Sequence, residues 1–120
     1  MVVTDDAISF IAAAGGTVDF AYGASRGTFA NLTSAVSNNQ LVDQQWVSYT
    51  AVDSLFIPTQ REWGQGIFSA AGSGTIARTN PFGGTAGANT KVSFSTAPIV
   101  SITILAEDVY WGAAGEVGTL

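Results

Sequence analysis

Apolar residues in this chain recur at every second position, in short segments separated by glycine-rich turns, and this alternation most constrains the fold. In "TVDFAYG", Val18, Phe20 and Tyr22 alternate with Asp19 and Ala21, and in "KVSFST", Val92 and Phe94 alternate with Ser93 and Ser95. A period of two is that of a strand with one buried face. "IVSITIL" puts Val100, Ile102 and Ile104 on one face and Ser101, Thr103 and Leu105 on the other, with β-branched residues that suit a pleated surface. "AISFIA" (7–12) and "WVSYTAV" (46–52) predict two more strands, and "LFIPT" a short one that Pro58 ends or pushes to an edge. Between them, "AAGGT", "GASRG", "SNNQ", "AGSG" and "PFGGTAGANT" have turn compositions.

Helical spacing occurs only in "RGTFANLTSAVSNNQLV", at Phe29, Leu32 and Val36. Its Thr, Ser and Asn content limits the expectation to a single helical turn near Thr28 to Ala35. The predicted fold is therefore all-β, a compact antiparallel β-sandwich or small barrel of about seven or eight strands with little or no helix. Its expected core is Ile8, Phe10, Phe20, Trp46, Tyr49, Phe68, Phe94, Ile102 and Ile104, each worth about 1.5–3 kcal/mol before entropy.

The 120 residues fit one domain, residues 1–120, of which about 106–120 read as a C-terminal extension contacting neighbours. The chain has no cysteine, which excludes disulfides, thiolate metal sites and cysteine nucleophiles, and no histidine, which excludes Ser-His-Asp arrangements and the commonest zinc ligand. No cofactor and no metal site is expected. Charged residues are 11% with a net charge of −5, so Thr, Ser, Asn, Gln and Gly must build most of the surface. With Lys91 the one lysine and Arg26, Arg61 and Arg78 the arginines, neither nucleic acid nor an anionic membrane is an expected partner. The start "MVVTDDAISF" lacks the pattern of a secretory signal, and no run approaches the roughly 18 apolar residues of a membrane helix, so no membrane insertion is expected. A chain 47% hydrophobic with so few charges is sticky unless its apolar groups are buried, against copies of itself or a partner.

The stretch "REWGQGIFSAAGSGTIART" (61–79) concentrates the side chains with chemistry. It reads as a β-hairpin, "EWGQGIFSA" and "GTIART" joined by "AGSG", whose first strand is weakened by Gly64 and Gly66. Adjacent Arg61 and Glu62 point to opposite faces of a strand and form no common site. Glu62 and Arg78 are better partners, as a cross-strand pair on the two arms, worth under about 1 kcal/mol if exposed and more if buried between subunits. Trp63 packs in the core or a subunit interface, or else stacks on a sugar.

The remaining motifs read as bland. Asp5 with Asp6 and Glu107 with Asp108 are adjacent acids near the chain ends, whereas glycosidase chemistry needs two carboxylates facing each other across a cleft. No Asp-x-Asp-x-Asp series suggests Ca²⁺, and "GTAGANTK" fails as a phosphate loop because a strand follows it. "NLT" (31–33) is a glycosylation sequon only in a secreted eukaryotic setting. No catalytic residue is assigned and no enzyme is expected. Tyr110 and Trp111, followed by small residues, either cap the domain or anchor a neighbouring subunit or a glycan.

"EWGQGIFSAAGSGTIARTNPF" followed by "NTKVSFSTAPIVSITILAEDV" resembles a module that recurs in structural proteins of tailed bacteriophages. Glu62, Trp63, Gly64, Gly66, Phe68, Gly72, Ile76, Arg78, Thr79, Val92 and Phe94 match its pattern in order, and the likeness covers about residues 45–109. The chain departs from that pattern in lacking a valine before the first glycine, in its "PFGGTAGAN" loop and in placing Lys91 before the Val-x-Phe segment. The resemblance implies a non-enzymatic virion component of a tail fibre, tail tip or head decoration, present in many copies. Its implied partners are itself, as a trimer or ring, and other virion proteins. The alternative is a carbohydrate-binding module that recognises a host-surface glycan through Trp63, Tyr110 or Trp111.

Overall fold

The computed structural model describes residues 8–27, 29–37 and 40–102. In chain order these form β1 (Ser9–Ala12), β2 (Phe20–Ser25), α1 (Leu32–Ser37), β3 (Trp46–Val52), β4 (Arg61–Ser69), β5 (Thr75–Ile76), β6 (Asn80–Gly84) and β7 (Ile99–Ile102). Every strand pairing is antiparallel. The order β3-β7-β1-β2-β5-β4, with β4 returning to β3, closes a six-stranded barrel, and β6 adds to β4 as an extra strand. The fold is thus the small antiparallel barrel among the expected all-β architectures.

Alternation sets which side chains enter the barrel. In β3, Val47, Tyr49 and Ala51 are buried, and in β4 the same parity buries Glu62, Gly64, Gly66 and Phe68. The two strands form the longest ladder, from Trp46 opposite Ile67 to Val52 opposite Arg61. Phe10, Phe20, Leu32, Ile76 and Val100 complete the interior with Tyr49 and Phe68. Short α1 contributes Leu32 and Ala35 to that core. Asn31 caps the helix: its carboxamide oxygen accepts the Ser34 N–H at 3.0 Å, while the Ser34 hydroxyl accepts the Asn31 N–H at 3.0 Å.

Several sequence expectations change, and of the "GTIART" arm only Thr75–Ile76 is a strand. Trp46 is half exposed rather than core, because it lies an odd number of residues from Tyr49 and must face the other side of the strand. "LFIPT" is a loop, not a strand, and Leu55, Phe56 and Ile57 are exposed there. "KVSFST" alternates in burial as expected but forms no regular strand. Its backbone makes a single bridge, Phe94 to Gly16, and the segment is held instead by side chains. Val18 precedes β2 and is exposed. Ile104, Asp5, Asp6, Glu107, Asp108, Tyr110, Trp111 and the 106–120 extension lie outside the described residues.

One irregularity prepares the interior. β5 and β6 pair with the same edge of β4, at Phe68–Ser69 and at Glu62–Gln65, and residues 77–79 between them leave the ladder. There the chain crosses over Gly66, where a Cβ would stand 1.6 Å from the Ala77 carbonyl oxygen. Only glycine admits that approach, and the crossing turns the Arg78 side chain into the barrel.

Candidate functional site

Two features combine chemistry with an unusual placement: an ion pair inside the barrel and an apolar loop tip outside it. Glu62 and Arg78 are joined, but through the interior rather than across a strand ladder, and each is almost inaccessible at 1% and 2% exposure. The Arg78 guanidinium grips the carboxylate with two donors, Nε to Oε2 at 3.0 Å and Nη2 to Oε1. Its other N–H groups reach the carbonyl oxygens of Gly16 (3.0 Å), Val18 (3.2 Å) and Val92 (2.6 Å). All five guanidinium donors are therefore used. Glu62 also accepts the Tyr49 hydroxyl at 2.6 Å and the Val92 N–H at 2.8 Å. Phe20 and Phe94 cover the guanidinium, their ring centres 4.7 and 5.5 Å from its carbon.

This cluster substitutes for missing backbone pairing. Residues 16–18 and 92 contribute no regular strand, yet Arg78 bonds both to β4 through Glu62, and Tyr49 adds β3. Gly64 makes room: a Cβ there would lie 2.9 Å from the Tyr49 hydroxyl oxygen. With four donors on its two oxygens, Glu62 is committed to structure and has little capacity left for acid–base work.

Burial first, and then the bond to the Glu62 carboxylate, hold the Tyr49 phenol far above its ordinary value of 10.0. A pKa raised in the folded chain gives stability that is complete below about pH 10 and is lost as pH rises beyond it, because the unfolded phenol then ionises and the folded one does not. The expected result is a denaturation midpoint that falls above about pH 10, with Tyr49→Phe removing that part of the fall. At neutral pH the same variant loses about 1.5–3 kcal/mol with its bond to a charged acceptor. Urea denaturation at several pH values checks both, and an unchanged pH profile in the variant contradicts the assignment.

The second feature is the eight-residue loop 53–60 between β3 and β4. Asp53 ties its base: its backbone N–H donates to the Gln60 carbonyl at 3.1 Å, and its carboxylate accepts from the Thr59 hydroxyl, the Thr59 N–H (2.9 Å) and the Gln60 N–H (3.1 Å). These bonds, the Thr59 hydroxyl foremost, hold the Asp53 carboxyl below its ordinary range. The Ser54 hydroxyl accepts the N–H groups of Phe56 and Ile57 at 3.4 Å each. Asp53, Ser54 and Thr59 thus bond within the loop, while Leu55, Phe56 and Ile57 are 48%, 93% and 76% exposed.

No protein family, curated protein or solved structure matches the chain. The functional reading consequently rests on these residues. Trp63 lies half-buried on the outer face of β4, against Gly83 of β6, where a Cβ would come 2.6 Å from its ring. Arg61 is exposed, as opposite faces require. Among the described residues no group of three His, Cys, Asp or Glu side chains is placed to hold a metal ion. The tip was missed as a site in the sequence, although it carried a signal: three consecutive apolar residues and Pro58, without alternation, between two segments that alternate strictly.

Proposed function

We propose that the chain is a non-enzymatic structural domain of a tailed-phage particle, on its tail or head surface, and that it works by assembling with its own copies and with neighbouring virion proteins. The observation that carries this reading is the Leu55–Phe56–Ile57 tip, an apolar surface presented by a loop whose base is tied by Asp53 and Ser54. Adjacent large apolar side chains held in water mark a contact surface. The resemblance of residues 45–109 to a phage structural module supplies the kind of particle. The Glu62–Arg78 cluster supports a scaffold, since its one buried carboxylate is spent on holding segments together.

Sedimentation or light scattering across the micromolar range, with co-sedimentation on purified tailed-phage particles, tests the proposal. Oligomers of defined size, or retention on particles, are expected; a monomer that binds no particle excludes it. Trp46 and Trp63 both face outward, with Trp46 half exposed, and this favours host-glycan recognition as the second reading. That reading predicts quenching of tryptophan fluorescence by a bacterial surface glycan, and an unaltered spectrum across a glycan panel counts against it.

A further inference from the structure

The net charge is not spread evenly along the chain. Within residues 8–102, Asp19, Asp43, Asp53 and Glu62 balance Arg26, Arg61, Arg78 and Lys91, so the whole charge of −5 falls on Asp5, Asp6, Glu107, Asp108 and Glu116 in the two flanking segments. Both segments join the barrel at the same end of paired strands: Ser9 lies opposite Ser101, and the Ile102 N–H donates to the Ile8 carbonyl at 3.1 Å. Arg26 stands beside that junction. Its half-buried guanidinium lies over the Phe29 ring, 4.5 Å from the ring centre, and donates through Nη1 to the Ser9 hydroxyl oxygen at 3.0 Å. That hydroxyl also bonds the Ser101 hydroxyl at 2.9 Å and donates to the Val100 carbonyl at 3.2 Å, so it is fully used and carries no charge. Among the described residues no carboxylate pairs with Arg26, although a guanidinium offers five donors in a fork that fits one. Partial burial strengthens its pull on an anion, because water screens it less.

We propose that the acidic pair Asp5–Asp6 docks on Arg26 of the same chain and clasps the end of the barrel at which β1 begins. Charge complementarity selects an acidic occupant, and chain geometry selects this one. Three residue steps separate Asp6 from Ser9, a span of at most about 10 Å, against six steps and about 20 Å from Ser101 to Glu107. The shorter tether gives Asp5 and Asp6 the higher effective concentration at Arg26, above that of the C-terminal acids and of a second copy. The entry of β1 points the same way. Ile8 bridges Ala30 in parallel and the Ser9 N–H donates to the Ala30 carbonyl at 3.0 Å, so the chain joins the barrel alongside the turn that carries Arg26 and Phe29. The Phe29 N–H closes that turn on the Arg26 carbonyl at 3.1 Å. The clasp is intramolecular and stands whether or not copies assemble.

Hydrogen exchange in the peptide covering residues 1–8, read by mass spectrometry on the full chain at low ionic strength, tests the clasp. Protection there is expected to fall about fivefold in Arg26→Gln and by a similar factor in Asp5→Asn/Asp6→Asn. The triple variant is expected to fall no further than Arg26→Gln alone, since both changes remove one interaction. The paired Asn variant leaves the bond from Arg26 to Ser9 in place, so its loss of protection separates the clasp from any loosening of β1. Salt at about 1 M is expected to lower protection in the wild type and to leave the triple variant unchanged. Equal protection in the wild type and the paired Asn variant overturns the proposal, as do losses that multiply in the triple variant. Loss in Glu107→Gln/Asp108→Asn without loss in the paired Asn variant overturns it in favour of the C-terminal segment. Protection that rises with protein concentration overturns it in favour of a second copy.

Discussion

Arg78→Met is expected to cost about 3–5 kcal/mol, a large share of the stability of a domain this size. The variant leaves the Glu62 carboxylate buried without its cation and removes the donors from three carbonyl oxygens, those of Gly16, Val18 and Val92. The magnitude reflects an asymmetry in buried pairs. Forming one roughly breaks even against desolvation, whereas removing one partner strands the other. A Glu62→Leu/Arg78→Met double variant should therefore recover part of the loss. Recovery stays incomplete because the Tyr49 hydroxyl and the Val92 N–H lose their acceptor, at about 1–3 kcal/mol each. Urea midpoints at constant m-value measure the series. An Arg78→Met protein as stable as the wild type would show that the pair does not join these segments.

Gly66→Ala is the second large effect, expected at about 3 kcal/mol or more, with loss of the folded state as the extreme outcome. Its new methyl would meet the Ala77 carbonyl oxygen at 1.6 Å, and backbone on both sides cannot move aside as a flexible side chain would. Relief would require residues 77–79 to lift away, withdrawing Arg78 from Glu62. Gly72→Ala is the control. That glycine has φ of 65° with nothing within 4 Å of a Cβ, so only the left-handed conformation resists, at about 1–2 kcal/mol. Thermal denaturation followed by circular dichroism ranks the two, and equal losses contradict the close approach.

Where alternation was strict, the sequence was readable: "WVSYTAV" is β3 residue for residue, with Tyr49 inside. The same rule excludes Trp46 from the core, and size and apolarity alone misplace it. Pairing Glu62 with Arg78 followed from the hairpin, but their burial did not, because it depends on two glycines clearing space for a crossing that only the closed barrel creates. In "KVSFST" the alternation reported burial faithfully while the ladder went elsewhere, since a hydrophobic pattern records which side faces the core and not which backbone lies alongside. The "LFIPT" segment resembles a strand in apolar content alone and lacks the period of two that marks a buried face.

The closed ring of strands bears on the proposed assembly. Among the described residues, each of the six strands of the ring has a neighbour on both sides, although β2 meets β5 only at Phe20 and Ala21. Among the described residues, β6, the strand outside the ring, has a neighbour on one side alone, and Pro81 deprives it of one amide. Few open edges disfavour growth by sheet extension, so the proposed assembly would rely on side-chain contacts. An array assembled as proposed should come apart on dilution into intact, refoldable units, each barrel keeping its shape while its neighbours are exchanged.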